Sequence, residues 1–216
     1  EKEKSICKLI VRVLNVQIKI EVTPVTRGCV YEPEMKIVSP RVEDEFGFAE
    51  ARIVSFADLY AGKIVAALDR QHPRDLFDVR DLMLHEGIDE HLRCAFIVYL
   101  LSHNRPMGEV LAPIRKDITQ EFLRGFNGMT DMPVSLVELV DVREKLITDI
   151  VGNMPQAHRD LLISFHRGQP DWALLALPHI ENLPAVRWRM ENLNKQDKQR
   201  KEQQFLHLKT ILQSSR

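Results

Sequence analysis

The spacing of apolar residues changes period at Ser55, and this change constrains the fold more than any other feature of the chain. Ahead of it, residues 6–13 and 16–22 are dense in β-branched side chains and meet at Leu14-Asn15, which predicts two adjacent strands joined as a hairpin. In the second strand Ile18, Ile20 and Val22 alternate with Gln17, Lys19 and Glu21. A period of two puts the polar trio on the face opposite the isoleucines, with Glu21 directed toward water. Pro24, Gly28, Pro33 and Pro40 punctuate the next stretch, and short extended pieces are predicted at 36–38 and 51–54. The acids Glu43, Asp44 and Glu45 read there as a loop or edge strand. So few strands need helices over one face to make a stable sheet.

Beyond Ser55 the period is helical. Ser55 followed by Asp58 resembles a capping box, and Phe56, Leu59, Tyr60, Lys63, Ala67 and Arg70 recur at helical spacing. Pro73 ends that helix and opens another that stops at Gly87, and a third runs from Asp89 to the turn at Asn104-Arg105-Pro106. Further helices are predicted from Ser135 through Ile150, from Pro155, over 171–177, and as one long charged helix from Pro184 toward Leu212. Gly125, Asn127, Gly128 and Pro133 mark the expected boundary, giving a partial α/β domain at 1–128 and a helical domain at 129–216. The fold class expected is α/β (α+β): a small sheet remnant packed by helices, then a helical bundle.

Composition narrows the functions. With 44% hydrophobic and 28% charged residues the chain is an ordinary globular protein, and a net charge of −1 argues against holding nucleic acid by overall basicity. Only 6% of residues are aromatic, too few for a base-stacking platform as the main binding device. A basic run near the end, including Arg187, Arg189, Lys195, Lys198, Arg200, Lys201, Lys209 and Arg216, reads as a solvated helix face, with an RNA-binding surface as the alternative. Cys7, Cys29 and Cys94 are far apart with no CxxC pair and no zinc-ligand spacing to histidine, so reduced thiols in a cytoplasmic protein are expected. No apolar run approaches membrane-spanning length, and no membrane association is expected.

The densest chemical signal is residues 63–78, KIVAALDRQHPRDLFD. Lys63 and Arg70, seven apart, share a helix face; Asp75 and Asp78, three apart, are neighbours after the Pro73 break; and Arg74 can reach Asp78 across one turn. Two cations beside carboxylates suit a triphosphate, with lysine as a point charge, arginine as a fork, and acids to hold Mg²⁺ or orient the cations. The same spacing suits an ion-pair staple between two helices. His72 reads as turn chemistry, Trp172 and Trp188 as packing anchors. His158, Asp160 and Ser164 lack the glycine-rich turn of a serine nucleophile and read as decoration of one helix.

This segment resembles the motif of AbiEii-type nucleotidyltransferase toxins, in which a helix bearing lysine and arginine runs into an Arg-Asp-x-x-Asp step, here Lys63, Arg70, Arg74, Asp75 and Asp78. The strand VQIKIEVTP is similar to the same family's lysine–hydrophobic–acid strand, with Lys19 and Glu21 in the matching places, and the helices after Asp89, including 135–167, resemble its helical tail. The resemblance implies transfer of a nucleotidyl group from an NTP to an RNA acceptor such as tRNA, Mg²⁺ as cofactor, and a cognate antitoxin as protein partner. Lys63 would be catalytic and, with Arg70, bind the nucleotide; Asp78 would orient or activate the acceptor; Arg74 and Asp75 would give structural support; Glu21 would be a metal ligand. The family's Gly-Ser turn and strand with two aspartates one residue apart have no counterpart before Glu21, so the chain is expected to be the later part of such an enzyme, inactive alone and weak in Mg²⁺ binding. An exposed sheet edge is then expected to drive homo-oligomerisation. The alternative is a catalytically inactive relative acting as a protein- or nucleic-acid-binding helical module.

Overall fold

Leu14 enters the left-handed region (φ 53°) and turns the chain between strands β1 (Lys8–Val13) and β2 (Val16–Glu21), which pair antiparallel. The computed structural model describes residues 8–21 and 27–214, the side chain of Glu21 excepted. Its register pairs Leu9 with Ile20, Val11 with Ile18 and Val13 with Val16, so one face of this hairpin is wholly apolar. The opposite face carries Ile10 against Lys19 and Arg12 against Gln17, the latter pair joined by a 2.9 Å hydrogen bond. Val11 is half-buried; the other five side chains of the apolar face are exposed.

The second pair of strands, β3 (Glu34–Ile37) and β4 (Glu50–Ile53), forms a separate antiparallel ladder whose residues are all exposed. The α/β class therefore holds, with the strands divided between two hairpins rather than gathered in one sheet. Between β3 and β4 lies helix α1 (Pro40–Phe46), where a loop or edge strand was expected around Glu43-Asp44-Glu45. Pro40 at the first turn and Glu43 beside the positive end of the helix dipole favour helix, and Gly47 (φ 86°) ends it.

Helix α2 (Phe56–Arg70) begins as its cap signal predicts, with the Ser55 hydroxyl accepting from the Asp58 amide at 3.0 Å. Asp58 is itself buried, and its carboxylate accepts from Val30 N (2.7 Å), Tyr31 N (3.0 Å), the Ser55 hydroxyl (2.7 Å) and the Tyr99 hydroxyl (3.2 Å). Four donors satisfy a charge that would otherwise be costly to bury, and they pin the segment at 30–31 onto the start of α2.

Helices α3 (Pro73–His85) and α4 (Glu90–Leu101) pack against α2 around Ile64, Leu68, Leu76, Leu82, Phe96 and Leu100, all fully buried. The α2–α4 crossing is close: a Cβ placed on Gly62 would lie 3.4 Å from the Tyr99 ring. Short helices α5 (Met107–Leu111) and α6 (Thr119–Gly125) lead to α7 (Leu136–Ile147), capped by Ser135 as expected. A π-helical turn, Thr148–Gly152, carries the chain to α8 (Gln156–Arg167), and two 3₁₀ turns, Trp172–Leu175 and Ile180–Asn182, follow.

The single long helix expected from Pro184 is two, α9 (Pro184–Lys195) and α10 (Lys198–Ser214). Gln196 is extended, and the Asp197 carboxylate accepts from the Arg200 amide at 3.0 Å, an N-terminal cap that starts the second helix. Buried side chains from both sides of position 128 lie in one continuous core, and no helix of the described residues is long and apolar enough to cross a membrane.

Candidate functional site at the junction of α2 and α3

Two residues separate α2 from α3, and both are held locally. Gln71 ends α2 in the left-handed region (φ 54°) and His72 precedes Pro73, its Nδ1 accepting from the Arg74 amide at 3.2 Å. His72 is thus the turn residue its neighbour Pro73 implied. The Gln71 side chain is buried and bonded at both ends: Nε2 donates to Ile114 O (2.8 Å), while Oε1 accepts from Lys116 N (3.0 Å) and the Arg143 guanidinium (3.1 Å). These bonds fix the angle at which α3 leaves α2.

That angle sets the acids of α3 against the cations of α2. Lys63 Nζ lies 2.7 Å from Asp78 Oδ1 and 5.6 Å from the centroid of the Tyr60 ring. Arg70 holds Asp75 with two parallel bonds of 2.6 and 3.0 Å. The Asp75 side chain is only 12% exposed whereas that of Arg70 is 63% exposed, so the guanidinium is steered by a buried acid yet open to solvent. Structure therefore brings Lys63, Arg70, Asp75 and Asp78 together as two rungs about 10 Å apart along α2.

Arg74 departs from the expected pairing. It donates to Gly125 O at 3.2 Å and contacts Met129 sulfur at 3.4 Å, because Asp78 is taken by Lys63 across the helix junction rather than by its neighbour one turn away. Glu21 ends β2 opposite Lys8, and its side chain lies outside the described residues.

A cavity of about 400 Å³ opens beside the second rung, with Arg70, Arg74 and Lys116 facing Asp75, Asp117 and Glu121. Lys116 also closes the end of α2, its ammonium donating to Asp69 O and Arg70 O at 3.1 Å each. Lys63 and Asp78 are not among the residues that line this cavity. The carboxylates of this cavity do not converge as a set of metal ligands: among the described residues the group of three potential ligands that gathers is Glu90, Cys94 and His158. Mg²⁺ takes oxygen in near-octahedral geometry, so that set does not fit it, and Asp75 and Asp78 are each committed to a cation.

Elsewhere the expectations divide. Trp172 packs edge-on against Phe165 (6.0 Å between centroids), but Trp188 is half exposed and is not the packing anchor expected. Arg189, counted in the basic run, is buried and donates to Asn104 O and Arg105 O, which removes it from any basic surface. His158, Asp160 and Ser164 form no triad: Asp160 is exposed and accepts from Gln156, and Ser164 donates to Leu161 O.

A family model described as "Nucleotidyl transferase AbiEii toxin, Type IV TA system" matches residues 7–192. No curated protein and no solved structure matches the chain. The match spans both ion-paired rungs, the β1–β2 hairpin and the helices through most of α9, and the chain belongs to the AbiEii nucleotidyl transferase toxin family.

Proposed function

We propose that the junction of α2 and α3 binds the triphosphate of an NTP for nucleotidyl transfer to an RNA acceptor, tRNA being the first to test. One observation carries this reading: Arg70 is aimed by the nearly buried Asp75 while its guanidinium faces solvent at the mouth of a cavity. A preoriented, exposed fork suits phosphate oxygens, since little freedom is left to lose on binding. Lys63 supplies a second charge on the same helix and acts as the catalytic cation; Asp78 holds its ammonium and orients the acceptor; Arg74 and Asp75 support the junction. Glu21 is the metal ligand in this scheme, and a cognate antitoxin is the proposed protein partner in the cytoplasm.

Mg²⁺ is the cofactor of this scheme, expected to be held weakly by this chain, and would supply charge neutralisation at the phosphates. The 216 residues contain no Asp-x-Asp, so this chain is proposed to bind nucleotide without transferring it. The ion pairs themselves favour a second reading, in which the two rungs only staple α2 to α3.

Equilibrium binding of labelled NTPs to the purified chain, followed by incubation with Mg²⁺ and tRNA, separates the readings. Under the proposal Lys63→Ala and Arg70→Ala each weaken binding about tenfold or more, as loss of a charge-assisted bond implies, while an exposed ion pair contributes at most about 1 kcal/mol to stability. Unchanged binding with a lowered melting temperature would establish the staple instead. Robust label transfer by this chain, abolished by Lys63→Ala, would overturn the view that its site is incomplete.

A further inference from the structure

Glu90 and Cys94 stand one turn apart on α4, and α8 delivers His158 against them. The separations are 3.5 Å from Cys94 Sγ to Glu90 Oε1, 4.0 Å from Sγ to His158 Nε2, and 3.4 Å from Nε2 to Glu90 Oε1. The nitrogen–oxygen distance is too long for a good direct hydrogen bond. The two lengths to Glu90 match the edges of a tetrahedral face around zinc, where bonds of about 2.3 Å to sulfur and about 2.0–2.2 Å to nitrogen and oxygen give edges of about 3.4–3.6 Å. The fit asks the sulfur–nitrogen edge to close by a few tenths of an ångström.

Burial reinforces the geometry. His158 is 3% exposed and its Nδ1 has no hydrogen-bond partner, so the polar neighbours of this buried ring are the thiol and the carboxylate at Nε2. Cys94 is buried as well, whereas the Glu90 side chain is 67% exposed and leaves the group open to solvent on one side. We propose that Glu90, Cys94 and His158 bind a zinc-class divalent ion that clamps α4 to α8. A sulfur, nitrogen and oxygen donor set selects a borderline-soft ion over Mg²⁺. Three protein ligands leave a fourth position for water on the exposed side, and the thiol proton passes to solvent when the ion binds.

Titration of the metal-free chain with Co²⁺ tests this directly. A thiolate-to-cobalt charge-transfer band should appear in the near ultraviolet and vanish in Cys94→Ser. Zn²⁺ at a hundredfold excess over its dissociation constant should raise the melting temperature by roughly 5–10 °C, with Mg²⁺ giving no shift. Glu90→Gln, on the exposed side where folding is least at risk, should weaken Zn²⁺ binding about tenfold or more, a loss measured by competition with a chelating dye. Absence of the band in a chain shown to be folded by circular dichroism, its persistence in Cys94→Ser, or full affinity in Glu90→Gln would each overturn the proposal.

Discussion

Replacing Gln71 by methionine keeps the volume of a buried side chain and removes its hydrogen bonds. Three are lost: to Ile114 O, from Lys116 N, and from the Arg143 guanidinium. Two neutral bonds at about 1 kcal/mol each and one from a charged donor at about 1.5–3 kcal/mol sum to about 4 kcal/mol. Arg143 keeps its 2.9 Å bond to Lys116 O, which brings the expected cost to about 3 kcal/mol. For a domain of this size that is a fall of roughly 6–12 °C in melting temperature. Backbone geometry supplies an internal control. Gln71 sits at φ 54°, where a Cβ is disfavoured, so Gln71→Gly should be more stable than Gln71→Ala by about 1 kcal/mol although both lose the same bonds. Urea unfolding followed by circular dichroism reads all three variants. A cost below about 1 kcal/mol for Gln71→Met would refute the claim that this side chain fixes the junction, and alanine above glycine would refute the backbone argument.

Acid should destabilise the fold through two buried histidines. Burial pushes His103 and His166 below the ordinary value of 6.5, against the opposing pull of Asp69 on His103 and of the Lys201 carbonyl and Glu202 on His166; Arg27, Arg105 and Arg189 around the first, and Lys201 and Arg189 around the second, push the same way as burial. The unfolded chain then binds protons that the folded one refuses, so stability is full above pH 6.5 and is lost as pH falls through the folded values. Urea midpoints should drop between pH 7 and pH 5, and a His103→Gln, His166→Gln variant should flatten that slope; equal slopes would remove these histidines from the account. Separately, the exposed face formed by Leu9, Val13, Val16, Ile18 and Ile20 should drive self-association. Sedimentation at rising concentration should show it, and Ile18→Lys should abolish it; a monomer throughout would contradict the expectation.

Signals confined to a few neighbouring residues were legible. Ser55 with Asp58, Pro73, Asp89 and Ser135 announce helix starts because a cap is satisfied within one turn, and the hairpin at Leu14-Asn15 follows from alternation. What escaped depends on partners remote in sequence or on a cap hidden inside a charged run. Asp197 splits the last helix through one bond to Arg200 N, yet charged residues on both sides continue the helical pattern. Asp78 turned from Arg74 to Lys63 because the angle between α2 and α3 is set by Gln71, whose own partners lie more than forty residues away. Cys94 and His158, 64 residues apart, carry no local zinc spacing, and only the packing of α8 on α4 brings them together.

The apolar face of the first hairpin has a thermal consequence. Water in contact with those side chains is released by any body that seats there, another copy or a different protein, and that release carries a negative heat-capacity change. Because hydrophobic attraction weakens on cooling, such an assembly loosens in the cold. Preparations handled near freezing and assays run at growth temperature would then sample different states of the same chain.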